Sequence, residues 1–407
     1  MIYNAVSKQD NICNFQNIKY HSLDLSKMIS DLIYFAALSL LLFQYMISQN
    51  FLQNSERLKI LYYEIKDFNL NYITYILFLC LLLKLRSIKL YTIPFAIILL
   101  IGNISEKYSG SDYVYIMLFL IVAAIDIKME YIVYYNIIVK SFILFLTIFL
   151  SLNGIIENKI ELGRNREYLG FDWTTTPFMH YCYILFMFLS IKKKKINLKE
   201  YIIFNIINIW FFIRTNTKMA FLITFLVLLF FFVFGNDLKK ITEQKFIKKI
   251  VFIMPWICFI FIYIISVKYN EDNSIYYELN KFLSNRLVFC KRAFTEYGFT
   301  LFGQPINFIT SGYNANYVDA AYLQYSLKYG LIPFAVLMVL LEYLIYRCYK
   351  NKKYNIIWII FFICIFALSE QQLFRWYYNG LFLLCFAEFN KYDYKTSVYN
   401  RVDGKVV

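Results

Sequence analysis

Apolar runs long enough to cross a bilayer recur along almost the whole chain, and every second connection between them is lysine-rich. The hydrocarbon core of a bilayer offers no water to backbone N–H and C=O groups, so a segment that crosses it must satisfy them internally. Runs of this length and spacing imply an all-α polytopic integral membrane protein. Only 17% of the 407 residues are charged, against about 25% in soluble domains. About twelve transmembrane helices are expected, near 29–48, 68–83, 89–104, 112–126, 131–150, 177–191, 199–214, 217–234, 247–267, 330–347, 354–369 and 371–389.

The lysine-rich connections are Lys84/Arg86/Lys89, Lys192–Lys195, Lys239/Lys240 with Lys245/Lys248/Lys249, and Arg347/Lys350/Lys352/Lys353. The positive-inside rule puts them, and both termini, in the cytoplasm. Residues 1–28 are too polar for a signal peptide and precede no small-residue cleavage site, so they are expected to be a cytoplasmic tail. The rest divides into spans one to nine (29–267), a large extracytoplasmic loop (268–329), the last three spans (330–390) and a cytoplasmic tail (391–407). The net charge of +15 is accounted for by loop lysines and does not call for nucleic acid as a partner. The eight cysteines form no CxxC pair and there are two histidines, which excludes a multi-histidine metal site. No P-loop, Rossmann fingerprint, HExxH or GxSxG is present, and no metal or cofactor is expected.

Arginine runs against this charge bias. Seven of the ten arginines fall on the outer side: Arg57, Arg164, Arg166, Arg214, Arg286, Arg292 and Arg375. A guanidinium presents a rigid fork of donors that suits phosphate and carboxylate oxygens. An outer face that collects such groups implies an anionic ligand there. Arg164 and Arg166 lie in the outer loop 151–176, and Arg214 and Lys218 bracket a tight outer turn. Arg375 follows Glu370 in another turn, where an ion pair between the two is the alternative to a ligand contact. Within the long loop, residues 275–297 have helical spacing, with an apolar stripe of Leu279, Phe282, Leu283, Leu287, Cys290, Ala293 and Phe294. A surface helix is expected there, with Arg286, Lys291 and Arg292 on its polar side. Asp172, Glu296, Asp319, Glu370 and His180 are the outer groups able to accept a proton. Lys140, mid-span, is either functional or paired with a neighbouring helix.

Several segments resemble the Wzy-type bacterial polysaccharide polymerases of the O-antigen ligase/polymerase superfamily. Arg164/Arg166 are followed by Gly170–Phe171 and by Pro177, with Phe178 where the family has asparagine. Thr217–Lys218–Met219–Ala220 is similar to a Ser-Arg-aliphatic turn, with lysine in place of arginine. Leu283–Arg286 resembles a Leu-Ser-Gly-Arg helix with Asn285 in place of glycine, and Leu301–Gly303 a Leu-Phe-Gly turn. Asp319, Tyr322 and Gly330 match an Asp/His-x-x-Tyr-Leu…Tyr-Gly-Ile block. The resemblance covers about 160–390 and implies a GT-C-like fold in the bacterial cytoplasmic membrane.

The activity it implies is transfer of a growing glycan from polyprenyl diphosphate to an incoming lipid-linked repeat unit of capsule, exopolysaccharide or O-antigen. Its partners would be lipid-linked glycans, membrane lipids, and a flippase and chain-length regulator of the same pathway. Asp319, Arg286 and His180 are the candidate catalytic residues. Arg164, Arg166, Arg214, Lys218, Lys291, Arg292, Tyr322 and Arg375 are the candidate substrate contacts. A ligase of the same superfamily, passing the finished chain to another acceptor, remains open, as does a lipid-linked glycan flippase or transporter. The topology is testable: reporter fusions within 268–329 are expected to register on the outer side, and cytoplasmic registration would overturn it.

Overall fold

The computed structural model describes residues 3–51, 56–84, 92–161, 163–283, 285–310 and 315–389, with the backbone alone for 3–24, 56–58, 70 and 282. The chain is mostly helical. Its helices are α1 (Tyr3–Ile47), α2 (Glu56–Leu83), α3 (Thr92–Ser109), α4 (Tyr113–Ala123), α5 (Met129–Leu152), α6 (Thr176–Ile191), α7 (Leu198–Thr215), α8 (Lys218–Phe234), α9 (Leu238–Glu243), α10 (Lys245–Val267), α11 (Ser274–Phe282), α12 (Arg286–Tyr297), α13 (Ala321–Lys328), α14 (Leu331–Lys350) and α15 (Tyr354–Phe366). Among the described residues the only sheet is a small antiparallel hairpin of β1 (Ile160–Glu161) and β2 (Arg166–Glu167).

Among the described residues four helices are long and apolar enough to cross a membrane, the Leu25–Ile47 part of α1, α5, α10 and α14, and the bent α2 makes a fifth if its two halves count as one span. Helices α4, α6, α8 and α15 are shorter and apolar. Exposed apolar side chains recur at helical spacing, as with Ile138, Phe142 and Phe145 on α5 and Ile253, Ile257, Ile260 and Ile264 on α10. Contiguous apolar faces of this kind suit hydrocarbon rather than water. Helices α1–α8, α10, α14 and α15 lie where the first eleven apolar runs place them. The expected tail 1–28 is not separate in secondary structure, because α1 starts at Tyr3 and continues into the apolar segment. The 391–407 tail, Arg86 and Lys89 lie outside the described residues.

The twelfth run, 371–389, departs from expectation. It holds two short 3₁₀ turns, Gln372–Phe374 and Gly380–Cys385, and no α-helix. It is buried along most of its length and packs against α4, α5, α6 and α14. The segment passes so close to α5 and α6 at Gly380 that a Cβ there would stand 2.9 Å from both Asn136 Oδ1 and Met187 Sδ, which suits glycine at this position. Irregular backbone is tolerated at membrane depth only where protein surrounds it and satisfies its polar groups. Side chains do this here. Lys140 Nζ donates to the carbonyls of Trp376 (3.4 Å) and Tyr378 (3.2 Å). The Tyr113 hydroxyl donates to Phe374 O and accepts from Trp376 N, both at 3.1 Å. Arg347 Nη1 donates to Cys385 O (2.8 Å), and Asn379 Nδ2 to Leu373 O (2.7 Å).

The connections sort into two ends of the bundle. At one, Lys84 pairs with Asp31 (3.3 Å), Lys353 with Glu130 (3.2 Å) and Lys27 with Glu388 (3.5 Å), and Asn355 bonds Lys192 O (2.6 Å). At the other, Phe51 N donates to Gly170 O (2.8 Å) and Arg166 Nε to Thr215 O (2.8 Å). Lys84, Lys192 and Lys353 thus share one end, and the hairpin and the α7–α8 turn share the other.

The expected single helix over 275–297 is instead α11 and α12, broken where Asn285 takes a left-handed φ of 66°. Asparagine tolerates that conformation better than most residues and glycine better still. Buried Asn280 bridges the break: its Oδ1 accepts from the amides of Leu287 (3.1 Å) and Val288 (3.3 Å) at the start of α12. Leu287, Cys290 and Ala293 of the expected stripe are buried, whereas nothing is described of the Phe282 side chain. After α12 the loop folds back at Gly303, whose backbone meets Gly330 so closely that a Cβ on Gly330 would lie 2.3 Å from Gly303 N. Both residues have positive φ, 106° and 91°.

Lys140→Met removes the donors to two buried carbonyls, each costing about 1–3 kcal/mol when left unpaired. A lowered thermal midpoint is expected for the solubilised protein; an unchanged one would mean that packing alone holds 371–389.

Candidate functional site

The arginine-bearing end encloses a cavity of about 1140 Å³. Four parts of the chain converge on it: the hairpin loop, the α7–α8 turn, the α11–α13 region and the start of the irregular segment. The hairpin turns at Asn165, with a positive φ of 49°, and brings Arg164 and Arg166 to the cavity. The α7–α8 turn is made by Asn216, left-handed at φ 47°, whose N–H donates to Phe212 O (2.8 Å). It places Lys218 at the first position of α8, exposed and lining the same space.

Arg286 opens α12 and is the most constrained of the cations. Its Nε donates to Asp319 Oδ2 and its Nη2 to Glu370 Oε1, both at 2.8 Å. Glu370 is buried, and burial pushes its carboxyl up to about 7 against the opposing pull of Arg286. Burial also works against the Arg286 charge, but Glu370 and Asp319 outweigh it and raise its pKa. Two of the five guanidinium N–H groups are thus engaged, and the others remain for a ligand. The alternative of an Arg375–Glu370 ion pair is not realised among the described residues, where Glu370 pairs with Arg286. Arg375 donates to Gln371 Oε1, which also accepts from the Tyr317 hydroxyl (2.7 Å) and Gln324 Nε2 (2.8 Å).

Six cations (Arg164, Arg166, Lys218, Lys281, Arg286 and Arg375) and three carboxylates (Asp172, Asp319 and Glu370) line the cavity. The excess of cations suits an anion of multiple charge. Phe212, Phe221 and Leu222 complete one wall, and Leu222 belongs to the exposed apolar surface of α8. Among the described residues, no three His, Cys, Asp or Glu side chains gather into a metal-binding group.

Five of the expected site residues lie elsewhere. His180 is buried and does not line the cavity; its Nε2 donates to Gln49 Oε1 (3.1 Å), and its ring stacks on Tyr378 at 4.2 Å. Gln49 and Tyr378 do line it, so His180 supports the wall from behind. Arg214 pairs with Glu167 Oε1 (2.7 Å), which ties α7 to the hairpin. Tyr322 is in the core, its hydroxyl donating to Cys364 O (3.0 Å). Lys291 and Arg292 face a separate groove of about 830 Å³, because α12 turns Arg286 and Phe289 to one side and Val288, Lys291, Arg292 and Thr295 to the other. Lys140, the mid-span cation, serves the backbone of 371–389.

Gln49, Gln371, Gln372 and Tyr378 were missed as wall residues. The Gln371–Gln372 pair was visible as a polar interruption between two apolar runs, but uncharged amides leave no trace in the charge asymmetry.

Glu370 gives a pH test. Its carboxyl titrates in the folded state at about 7 rather than 4.5, so its contribution to stability is fully present below pH 4.5 and lost as pH rises through about 7. Glu370→Gln, which still accepts from Arg286, is expected to raise the thermal midpoint over the native protein above pH 7, with the gain vanishing in mild acid. A gain independent of pH would contradict the assignment. Set beside known proteins, the chain matches no protein-family model, no curated protein and no solved structure.

Proposed function

We propose that the protein polymerises lipid-linked oligosaccharide repeat units at the outer face of a bacterial cytoplasmic membrane. The glycan would pass from polyprenyl diphosphate to an incoming lipid-linked unit. In this reading the chain crosses the membrane about twelve times, the last time as the irregular segment 371–389, with both termini in the cytoplasm.

The observation that carries the reading is the junction of a cation-rich cavity with an apolar helix face in one space. A polyprenyl diphosphate has the same two parts, a doubly charged head and a hydrocarbon tail. Arg164, Lys218 and Arg286 are positioned to hold the diphosphate oxygens, while Phe212, Phe221 and Leu222 border the route of the tail.

Transfer proceeds by attack of an acceptor hydroxyl oxygen on the donor's anomeric carbon. The bond from that carbon to the diphosphate breaks, and the lipid diphosphate leaves with the bonding electrons. Cations already in place around the leaving oxygens stabilise this charge without reorganising. The hydroxyl proton passes to a carboxylate, and Asp319 is suited to accept it. Its Oδ2 is held by Arg286, so the orientation is fixed while Oδ1 can face the acceptor.

The charge distribution also bears on the transporter alternative. A flippase concentrates polar groups along a path between its spans, whereas the cations that line the large cavity here lie at one end of the helices. Deleting the gene in its host and analysing lipid-linked and surface glycans is the test. Single lipid-linked repeat units with loss of long polymer are expected. Long chains retained on the carrier would mean a ligase, and units trapped on the inner leaflet a flippase. Complementation with Arg286→Ala or Lys218→Ala is expected to lower polymer yield about 10²–10³-fold, the usual effect of losing one donor to a developing oxyanion. Full polymer from both variants would overturn the site.

A further inference from the structure

Beside the main cavity lies a smaller chamber of about 190 Å³. Tyr113, Tyr325, Tyr329 and Tyr377 wall it, and Arg375 and Lys328 supply its charge. Arg375 and Tyr317 line both spaces, so the chamber adjoins the diphosphate end of the cavity. Its volume equals about six waters at ~30 Å³ each, the scale of one sugar ring.

The two cations set its chemistry. No carboxylate lines the chamber, and among the described residues neither Arg375 nor Lys328 forms a salt bridge. Arg375 bonds the neutral side chains of Gln371 and Tyr377. Lys328 Nζ lies 5.6 Å from the centre of the Tyr329 ring. The two are near enough for each to act on the other's charge. Arg286 is compensated by Asp319 and Glu370, Lys84 by Asp31 and Arg166 by Glu161, while Lys140 and Arg347 are held by main-chain carbonyls. Asp172 acts on Arg375 from the main cavity without touching it, and like charges held away from water without a directly paired counterion are costly. A bound anion removes that cost, and the tyrosine rings offer faces and hydroxyls to a ring that is apolar on its faces and polar at its rim.

Resting on the glycan-transfer reading, we propose that this chamber is a subsite for one carboxylate-bearing sugar, such as a uronic acid, in the lipid-linked repeat unit. A neutral hexose of the same size would leave both cations uncompensated. The protein would therefore select acidic glycans through Lys328 and Arg375.

The test is calorimetric titration of the full chain in lipid nanodiscs with glucuronate, glucose and inorganic pyrophosphate. Glucuronate is expected to bind at least about tenfold more tightly than glucose and to persist in saturating pyrophosphate. Lys328→Ala should weaken glucuronate about tenfold and leave pyrophosphate unchanged, because Lys328 does not line the main cavity; Lys328→Arg should restore it. Equal binding of glucose and glucuronate would overturn the proposal. So would displacement of glucuronate by pyrophosphate, which would make the chamber part of the diphosphate site. Should Lys328→Ala lose both ligands through misfolding, the selectivity of the native protein decides alone. Failure of the native protein to bind pyrophosphate while it binds glucuronate would count against the diphosphate reading of the main cavity and leave the chamber's specificity standing.

Discussion

The structure depends on one demand: a buried stretch of non-helical backbone must find hydrogen-bond partners away from water. Residues 371–389 lie among α4, α5, α6 and α14 and cannot satisfy themselves as a helix does. Lys140, Tyr113 and Arg347 reach in from three different helices to supply the missing bonds. Each bond ties a helix to the segment, so the partners of the irregular backbone also register the bundle. An intramembrane lysine is normally suspected of carrying ions or protons. Here its two bonds to main-chain carbonyls account for its place.

That segment also begins at the cavity. Gln371, Gln372, Arg375 and Tyr378 line the wall, and His180 backs Tyr378 by stacking. Rigidity passes from the packed interior to the arginine-bearing end through this run of residues. Arg286 is fixed by a second device, with one carboxylate on each side and its helix capped by Asn280 from across a break. Its orientation is set before any ligand arrives, which lowers the cost of ordering on binding. Arg164 and Lys218 are exposed and free to adapt, so the site combines one fixed fork with movable charges.

The charge asymmetry located the site better than any motif did. Arg164, Arg166, Lys218, Arg286, Arg375 and Asp319 come from four distant stretches of chain and line one cavity. Arginine set apart from the lysine-rich connections marks the end of the molecule that holds this cavity. It could not tell a lining arginine from a structural one. Arg214 pairs with Glu167, and Arg292 turns to the far side of α12. A one-residue difference in helical phase decides which face a side chain takes, and the break at Asn285 resets that phase. Tyr322 and His180 fit the pattern but lie in the interior, since aromatic and imidazole rings are as often packing as chemistry.

Hydrophobic runs, lysine-rich connections and their alternation were sufficient by themselves to determine a helical chain with apolar faces and two chemically distinct ends. These properties follow from composition and local periodicity, which act over a few turns of helix. Tertiary structure alone decided that 371–389 is irregular. An apolar run surrounded by protein on all sides has the same hydropathy whether or not it is helical, and the close packing at Gly380 is set by Asn136 and Met187, far away in sequence. It also decided which carboxylates compensate Arg286 and left Arg375 and Lys328 side by side without one. Those pairings join residues dozens of positions apart, and burial in the folded chain is what gives them their energetic weight.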